Sequence, residues 1–124
     1  GNRGIDQWLI HSNGDIYVGI AGTGMLYQFD EKNLKLIEIG RIGKGGRITS
    51  LEEDEKGRVL FTGGFPKMSV GRYDPKSKKI TDFGPITDKY DKIYFHGATY
   101  LNKTLYLAET DSGVASLWEV PIPD

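Results

Sequence analysis

Three stretches of this chain answer one another. Asn13-Gly14-Asp15-Ile16-Tyr17-Val18-Gly19 returns as Lys56-Gly57-Arg58-Val59-Leu60-Phe61-Thr62 and again as Asn102-Lys103-Thr104-Leu105-Tyr106-Leu107-Ala108. Each is a polar turn running into a β-rich apolar segment. A second run follows each: Leu26-Tyr27-Gln28-Phe29-Asp30, Val70-Gly71-Arg72-Tyr73-Asp74 and Leu117-Trp118-Glu119-Val120-Pro121. Phe29, Tyr73 and Val120 are equivalent, at spacings of 44 and 47 residues. A third run appears twice, at 34–39 and 79–83, and a fourth precedes each turn, at 8–10, 48–51 and 94–100. Four short strands in every 40–50 residues or so is the signature of a β-propeller blade.

The pattern predicts an all-β chain of four-stranded antiparallel meanders, with about two and three-quarter blades. Blade 1 is expected at about 5–42, blade 2 at about 46–87 and an incomplete blade 3 at about 93–124. Strands are predicted near 8–10, 15–20, 25–30, 34–39, 47–53, 58–63, 69–74, 79–83, 93–100, 104–109 and 116–120. No window carries a sustained i, i+3, i+4 apolar stripe, so the one helical turn expected is Asp88-Lys89-Tyr90-Asp91-Lys92. Tyr17, Phe61 and Tyr106 are assigned one shared repeat position in the core between blades. A closed propeller needs at least four blades, because an isolated blade leaves apolar faces wet and edges unpaired. The expectation is therefore a fragment of a larger propeller, or copies that associate to complete a ring.

Composition removes other classes. The chain has 124 residues, with 17 Gly, no Cys and a net charge of −1 from interspersed acids and bases. Disulfide scaffolds and cysteine-ligated zinc sites are excluded, and the charge balance implies neither a nucleic-acid nor a membrane partner. The absence of cysteine suits the cytoplasm or a bacterial exported compartment equally.

The segments Leu60-Phe61-Thr62-Gly63-Gly64-Phe65 and Tyr73-Asp74-Pro75-Lys76 resemble kelch-type repeats, in which one strand ends in a Gly-Gly pair and a later one in Tyr-Asp-Pro. The stretch from His96-Gly97 to Glu109 is similar to blades of the streptogramin-lyase (virginiamycin B lyase) family, where a His-Gly pair precedes one strand and a Glu ends the next. That resemblance implies a metal-dependent elimination assisted by histidine and glutamate at the channel mouth. It places those roles on His96 and Glu109, with a divalent cation on Glu109.

The residues themselves support a graded set of sites. His96 falls on the innermost strand of its blade, where an imidazole serves as a general base or a metal ligand; the plainer reading is a histidine within the aromatic cluster of Tyr94, Phe95 and Tyr100. A turn centred between Asn102 and Lys103 sets Glu109 directly opposite His96 if the hairpin is regular. Phe65 and Tyr90 lie in connections, where the blade core does not explain them, and join Asp111 as candidate ligand-binding residues. His11 reads as a solvated turn residue, and the run Glu52-Glu53-Asp54-Glu55 lacks the spacing of a calcium loop and reads as a solvated turn. Gly43-Lys44-Gly45-Gly46 lacks the remainder of a phosphate loop, and Gly19, Gly22 and Gly24 miss the dinucleotide spacing; both read as turns between strands. Asn102-Lys103-Thr104 matches an N-glycosylation triplet.

The function expected is binding of a small molecule, a glycan or a protein. The alternatives are a metal-assisted elimination at the channel mouth, with His96 removing a proton and a cation on Glu109 stabilising the resulting charge, and a structural scaffold.

Overall fold

A computed structural model describes residues 4–64, 67–87, 95–109 and 116–124, with position 96 described by its backbone alone. Among the described residues there are eleven strands and no helix. They form three antiparallel sheets. The first contains β1 (Ile5–Ile10), β2 (Ile16–Ile20), β3 (Met25–Asp30) and β4 (Lys35–Gly40). The second contains β5 (Ile48–Glu53), β6 (Val59–Gly63), β7 (Ser69–Asp74) and β8 (Lys79–Pro85). The third contains β9 (Phe95–Leu101), β10 (Thr104–Glu109) and β11 (Ser116–Pro121). Each sheet is a meander in chain order. Its turns use the residues that turn geometry demands: Gly14 and Gly57 adopt positive φ, and Asn102 and Lys103 both do (51° and 61°), the two-residue form that suits a twisted hairpin.

Between sheets, β1 packs against β5 and β5 against β9, so the first strand of each sheet lies innermost. The outer strands β4 and β8 are largely exposed. Two cores fill the gaps. Tyr17, Leu26, Ile42, Ile48, Leu51, Val59, Phe61 and Tyr73 form the first; Leu60, Met68, Val70, Phe95, Leu105, Leu107 and Ile122 form the second. The middle sheet alternates between them, Val59 and Phe61 facing one neighbour and Leu60 the other, as a strand's two-residue period requires.

This alternation corrects one expectation. The registers Ile16↔Phe29, Val59↔Tyr73 and Leu105↔Val120 make Ile16, Val59 and Leu105 equivalent. Tyr17 therefore matches Leu60 and Tyr106, while Phe61 matches Val18 and Leu107. Phe61 and Tyr17 belong to one core from facing sheets and do not share a repeat position. A one-residue slip in alignment exchanges the two faces of a strand.

The hairpin turns at one end lock neighbouring sheets together. Residues 11–15 and 54–58 adopt the same turn: His11 N–H donates to Asp15 O and Gly14 N–H to His11 O, and Asp54 N–H donates to Arg58 O and Gly57 N–H to Asp54 O. His11 Nδ1 accepts from Asn13 N–H, while its Nε2–H donates to Gly57 O of the next sheet at 2.8 Å. Asp54 Oδ1 accepts from Lys56 and Arg58 N–H, and its Oδ2 binds Arg58 Nε at 2.7 Å. Both residues are buried, so neither is the solvated turn residue that local composition implies. Each is the acceptor that closes its turn. Ser12 donates through backbone and hydroxyl to Glu53. Arg58 and Arg72 donate to the carbonyls of Asp124 and Pro123, tying the third sheet to the second.

Tyr100 Oη donates to Glu55 Oε2 at 2.5 Å across the next gap. That bond holds the Glu55 carboxyl below its ordinary value. Burial, then the same bond and the Glu55 charge, push Tyr100 up to about 12. A depressed carboxylate stabilises the fold above its unfolded value and loses that contribution as pH falls through its folded value. A raised phenol stabilises below its unfolded value of about 10 and loses it as pH passes the folded one. Tyr100→Phe is thus expected to leave the urea midpoint less steeply dependent on pH on the acid side. It should also remove one late-titrating tyrosine from the 295 nm absorbance titration; an unchanged alkaline limb would show that the contact does not form.

Candidate functional site

The opposite end of the sheets carries the β2–β3 type loops and the connections between sheets. Here the three inner strands share an irregularity. Ile5 pairs with Ile20 and Gln7 with Gly19, which leaves Asp6 as an extra residue. Ile48 pairs with Gly63 and Ser50 with Thr62, leaving Thr49. Phe95 pairs with Glu109 and Gly97 with Ala108, leaving position 96. The same bulge thus recurs at the same place in each sheet, beside the axis. A bulge inserts one residue against a partner strand that has none to match it, bends the strand and re-aims side chains, which is why bulges accumulate at binding sites.

The bulge also corrects the expected hairpin geometry. The pairing is regular from Thr104↔Leu101 to Ala108↔Gly97, and it then shifts, so Glu109 pairs with Phe95 and not with His96. Glu109 lies on the strand face of Leu105 and Leu107 and is buried with them. Of the other candidates, Phe65, Tyr90 and Asp111 lie outside the described residues, as does the helical turn expected at 88–92.

At the first bulge, Asp6 holds a residue that reading the sequence left out. Arg47 Nε donates to Asp6 Oδ2 at 3.2 Å and Nη2 to Oδ1 at 2.9 Å, a two-pronged ion pair spanning two sheets. The loop before β5 is set by glycine. Gly45 has φ +91°, and a Cβ there would meet Thr23 O at 2.4 Å, so the 21–24 and 43–46 loops meet backbone to backbone. Gly22 and Gly46 form an isolated bridge. The only sequence signal for this corner is three cations in seven residues, Arg41, Lys44 and Arg47. At the second bulge, Thr49 is buried and its hydroxyl shares a hydrogen bond of 2.8 Å with Thr62, which also bonds Ser50. This hydroxyl group is part of the packed interior.

Three neighbouring sheets in meander order, inner strands against the axis, define a propeller arc. The chain is similar in fold to virginiamycin B lyase from Staphylococcus aureus. The match has a TM-score of 0.68 at 15% identity and covers 100% of this chain and 43% of that lyase. The chain is a partial β-propeller, spanning less than half the length of this solved relative. No family model and no curated protein matches it. Among the described residues, no three His, Cys, Asp or Glu side chains come together in a group fit for a metal ion. Among the described residues, therefore, the cation that the lyase resemblance implies has no complete donor set.

Proposed function

We propose that this chain belongs to a propeller binding module that takes a small polar ligand at the rim where β1, β5 and β9 begin. The observation that supports it is the recurrence of one bulge in all three inner strands, at Asp6, Thr49 and position 96. A bulge re-aims side chains at the end of a strand, and at the first of the three it brings Asp6 to Arg47 at the rim. A glycan or a protein segment is the broader class from which such a ligand comes. The elimination reading rests on Glu109, buried beside the third bulge, and on the likeness to a lyase of virginiamycin B. In that reading His96 would remove the proton and Glu109 would hold a divalent cation that stabilises the resulting charge.

Amide chemical-shift mapping on the 124-residue chain, with Trp8→Glu and Leu117→Glu on its two outward faces to keep it monomeric, separates these. A panel of neutral monosaccharides, small dicarboxylates and virginiamycin B, each with and without MgCl2, is expected to shift amides at 5–7, 21–23, 46–49 and 108–109. Shifts confined to the turns at 11–15, 54–58 and 102–103 would sink the reading. Conversion of virginiamycin B that disappears in Glu109→Gln would favour the elimination.

A further inference from the structure

We infer that the outer edge of β11, at 117–120, accepts one further strand, an extended segment of a partner polypeptide with the pattern Lys-apolar-x-acid-apolar-Gly, and that the first apolar side chain of this segment fills the crevice between the second and third sheets. The inference is independent of the rim. It starts from a fourth strand that the first two sheets have and the third, among the described residues, does not. Phe29, Tyr73 and Val120 are equivalent, so Asp30, Asp74 and Pro121 are as well. Asp30 and Asp74 each start the turn that leads out to a fourth strand: Asp30 Oδ1 accepts from the amides of Lys32 and Asn33, and Asp74 Oδ1 from that of Lys76. Pro121 has no side-chain acceptor, and the chain after it turns inward. Ile122 is buried in the second core and its N–H donates to Lys103 O, while Arg72 and Arg58 hold the carbonyls of Pro123 and Asp124. The edge of β11 is thereby left to a strand from elsewhere.

The two fourth strands that are present show what fits. β4 and β8 read Lys35-Leu36-Ile37-Glu38-Ile39-Gly40 and Lys79-Ile80-Thr81-Asp82-Phe83-Gly84, one pattern in one register, with Lys35 opposite Asp30 and Lys79 opposite Asp74. Ile80, opposite Tyr73, closes the outer end of the first core by packing over β4: a Cβ on Gly40 would fall 2.6 Å from Ile80 Cδ1. Gly84 is the repeat equivalent of Gly40, and a Cβ there would meet no described atom within 4 Å. Beside it lies a crevice of about 230 Å³, between Phe83, Gly84 and Ile86 on one side and Val120 and Ile122 on the other, lined throughout by apolar side chains and glycine. A strand paired with β11 in the register of β8 sets its counterpart of Ile80 opposite Val120 and into this crevice. Its next residue comes opposite Glu119, exposed on the outward face, where a cation is complementary. Val120 and Pro121 stand at the turn end of β11, whereas every internal segment outside the described residues joins strands at the rim. A strand edge beside an apolar pocket is what strand addition uses: the ladder supplies affinity and the pocket selects the side chain.

The test uses the whole 124-residue chain with Trp8→Glu and Ile10→Glu, which charge the first outward face against stacking and leave Trp118 of β11 as the one tryptophan. A peptide with the sequence of residues 79–85 is titrated against Trp118 emission. Saturable binding with a blue shift is expected. Ile80→Ser in the peptide should weaken it about tenfold or more, the usual effect of losing one buried aliphatic side chain. Thr81→Lys in the peptide should strengthen binding severalfold, and Glu119→Gln in the protein should abolish that gain. Hydrogen exchange should show alternate amides of 117–120 protected in the free protein and all of them in the complex. Far-UV circular dichroism reports whether each variant keeps the fold; if one does not, the peptide series and the exchange measurement on the wild-type chain carry the result. No saturable response, or equal affinity for the 79–85 peptide and its Ile80→Ser form, overturns the inference. Amides at 117–120 that are all protected before peptide is added would show that the chain covers its own edge, and would overturn it too. So would association that grows with protein concentration and excludes the peptide, which would put a second copy there.

Discussion

Phe61→Ala is expected to cost about 3–5 kcal/mol of unfolding free energy, the range for deleting a buried phenylalanine. That would lower the melting temperature by roughly 10–20 °C. Phe61 sits at the centre of the middle sheet, fully buried in the core shared with Tyr17 and Leu51. Its ring also covers its cross-strand partner Gly71, where a Cβ would fall 2.8 Å from the ring. No other side chain at 71 can fill the space that the truncation opens without a shift of Ile42, which lies equally close. Tyr106→Ala supplies the contrast. Tyr106 is half-buried and lies on the outward face of the third sheet, so its loss should cost less than about 1.5 kcal/mol. Equal losses in urea denaturation would mean that the two residues do occupy equivalent places.

The isolated 124-residue chain is expected to self-associate. The outward face of the first sheet presents Trp8, Ile10 and Leu36, with Ile10 76% exposed; that of the third presents Leu101, Tyr106 and Leu117, with Leu117 69% exposed. These are the repeat equivalents of faces that pack on each other within the chain, Trp8 and Val18 matching Leu51 and Phe61, and Tyr106 matching Leu60. A head-to-tail contact between copies reproduces a blade-on-blade interface, and it ends in a closed ring where the rotation closes and continues where it does not. Sedimentation velocity should show species that grow with concentration, and Trp8→Glu combined with Leu117→Glu should return a 13.8 kDa monomer. A wild-type chain that stays monomeric and monodisperse would refute this. In a longer chain, further sheets serve the same purpose by covering both faces.

Reading the sequence located all eleven strands to within a few residues, because apolar alternation and turn chemistry are local and recur at a fixed spacing. It failed where one residue matters. The equivalence of Tyr17 and Phe61 came from matching aromatic with aromatic, whereas the ladder pairs by register. The expected His96–Glu109 pairing assumed a regular hairpin, and the inserted residue in β9 leaves no compositional trace. Asp6 and Arg47 are 41 residues apart, and no local rule joins them. Asp54 was hidden within an acidic run: its neighbours Glu52, Glu53 and Glu55 disguise the one carboxylate that the turn itself consumes.

The recurring bulge separates two things that most strands bind together. Along a regular inner strand, every position is either a core residue or its neighbour in the ladder, so altering what the axis sees disturbs packing. Here each inner strand sets aside one supernumerary place, occupied by aspartate in the first sheet, threonine in the second and histidine in the third. Three chemically unlike residues are tolerated at one backbone geometry. The inserted place therefore serves a different purpose from blade to blade on one backbone geometry: at Asp6 it carries an ion pair across two sheets, and at Thr49 a hydroxyl packed into the interior.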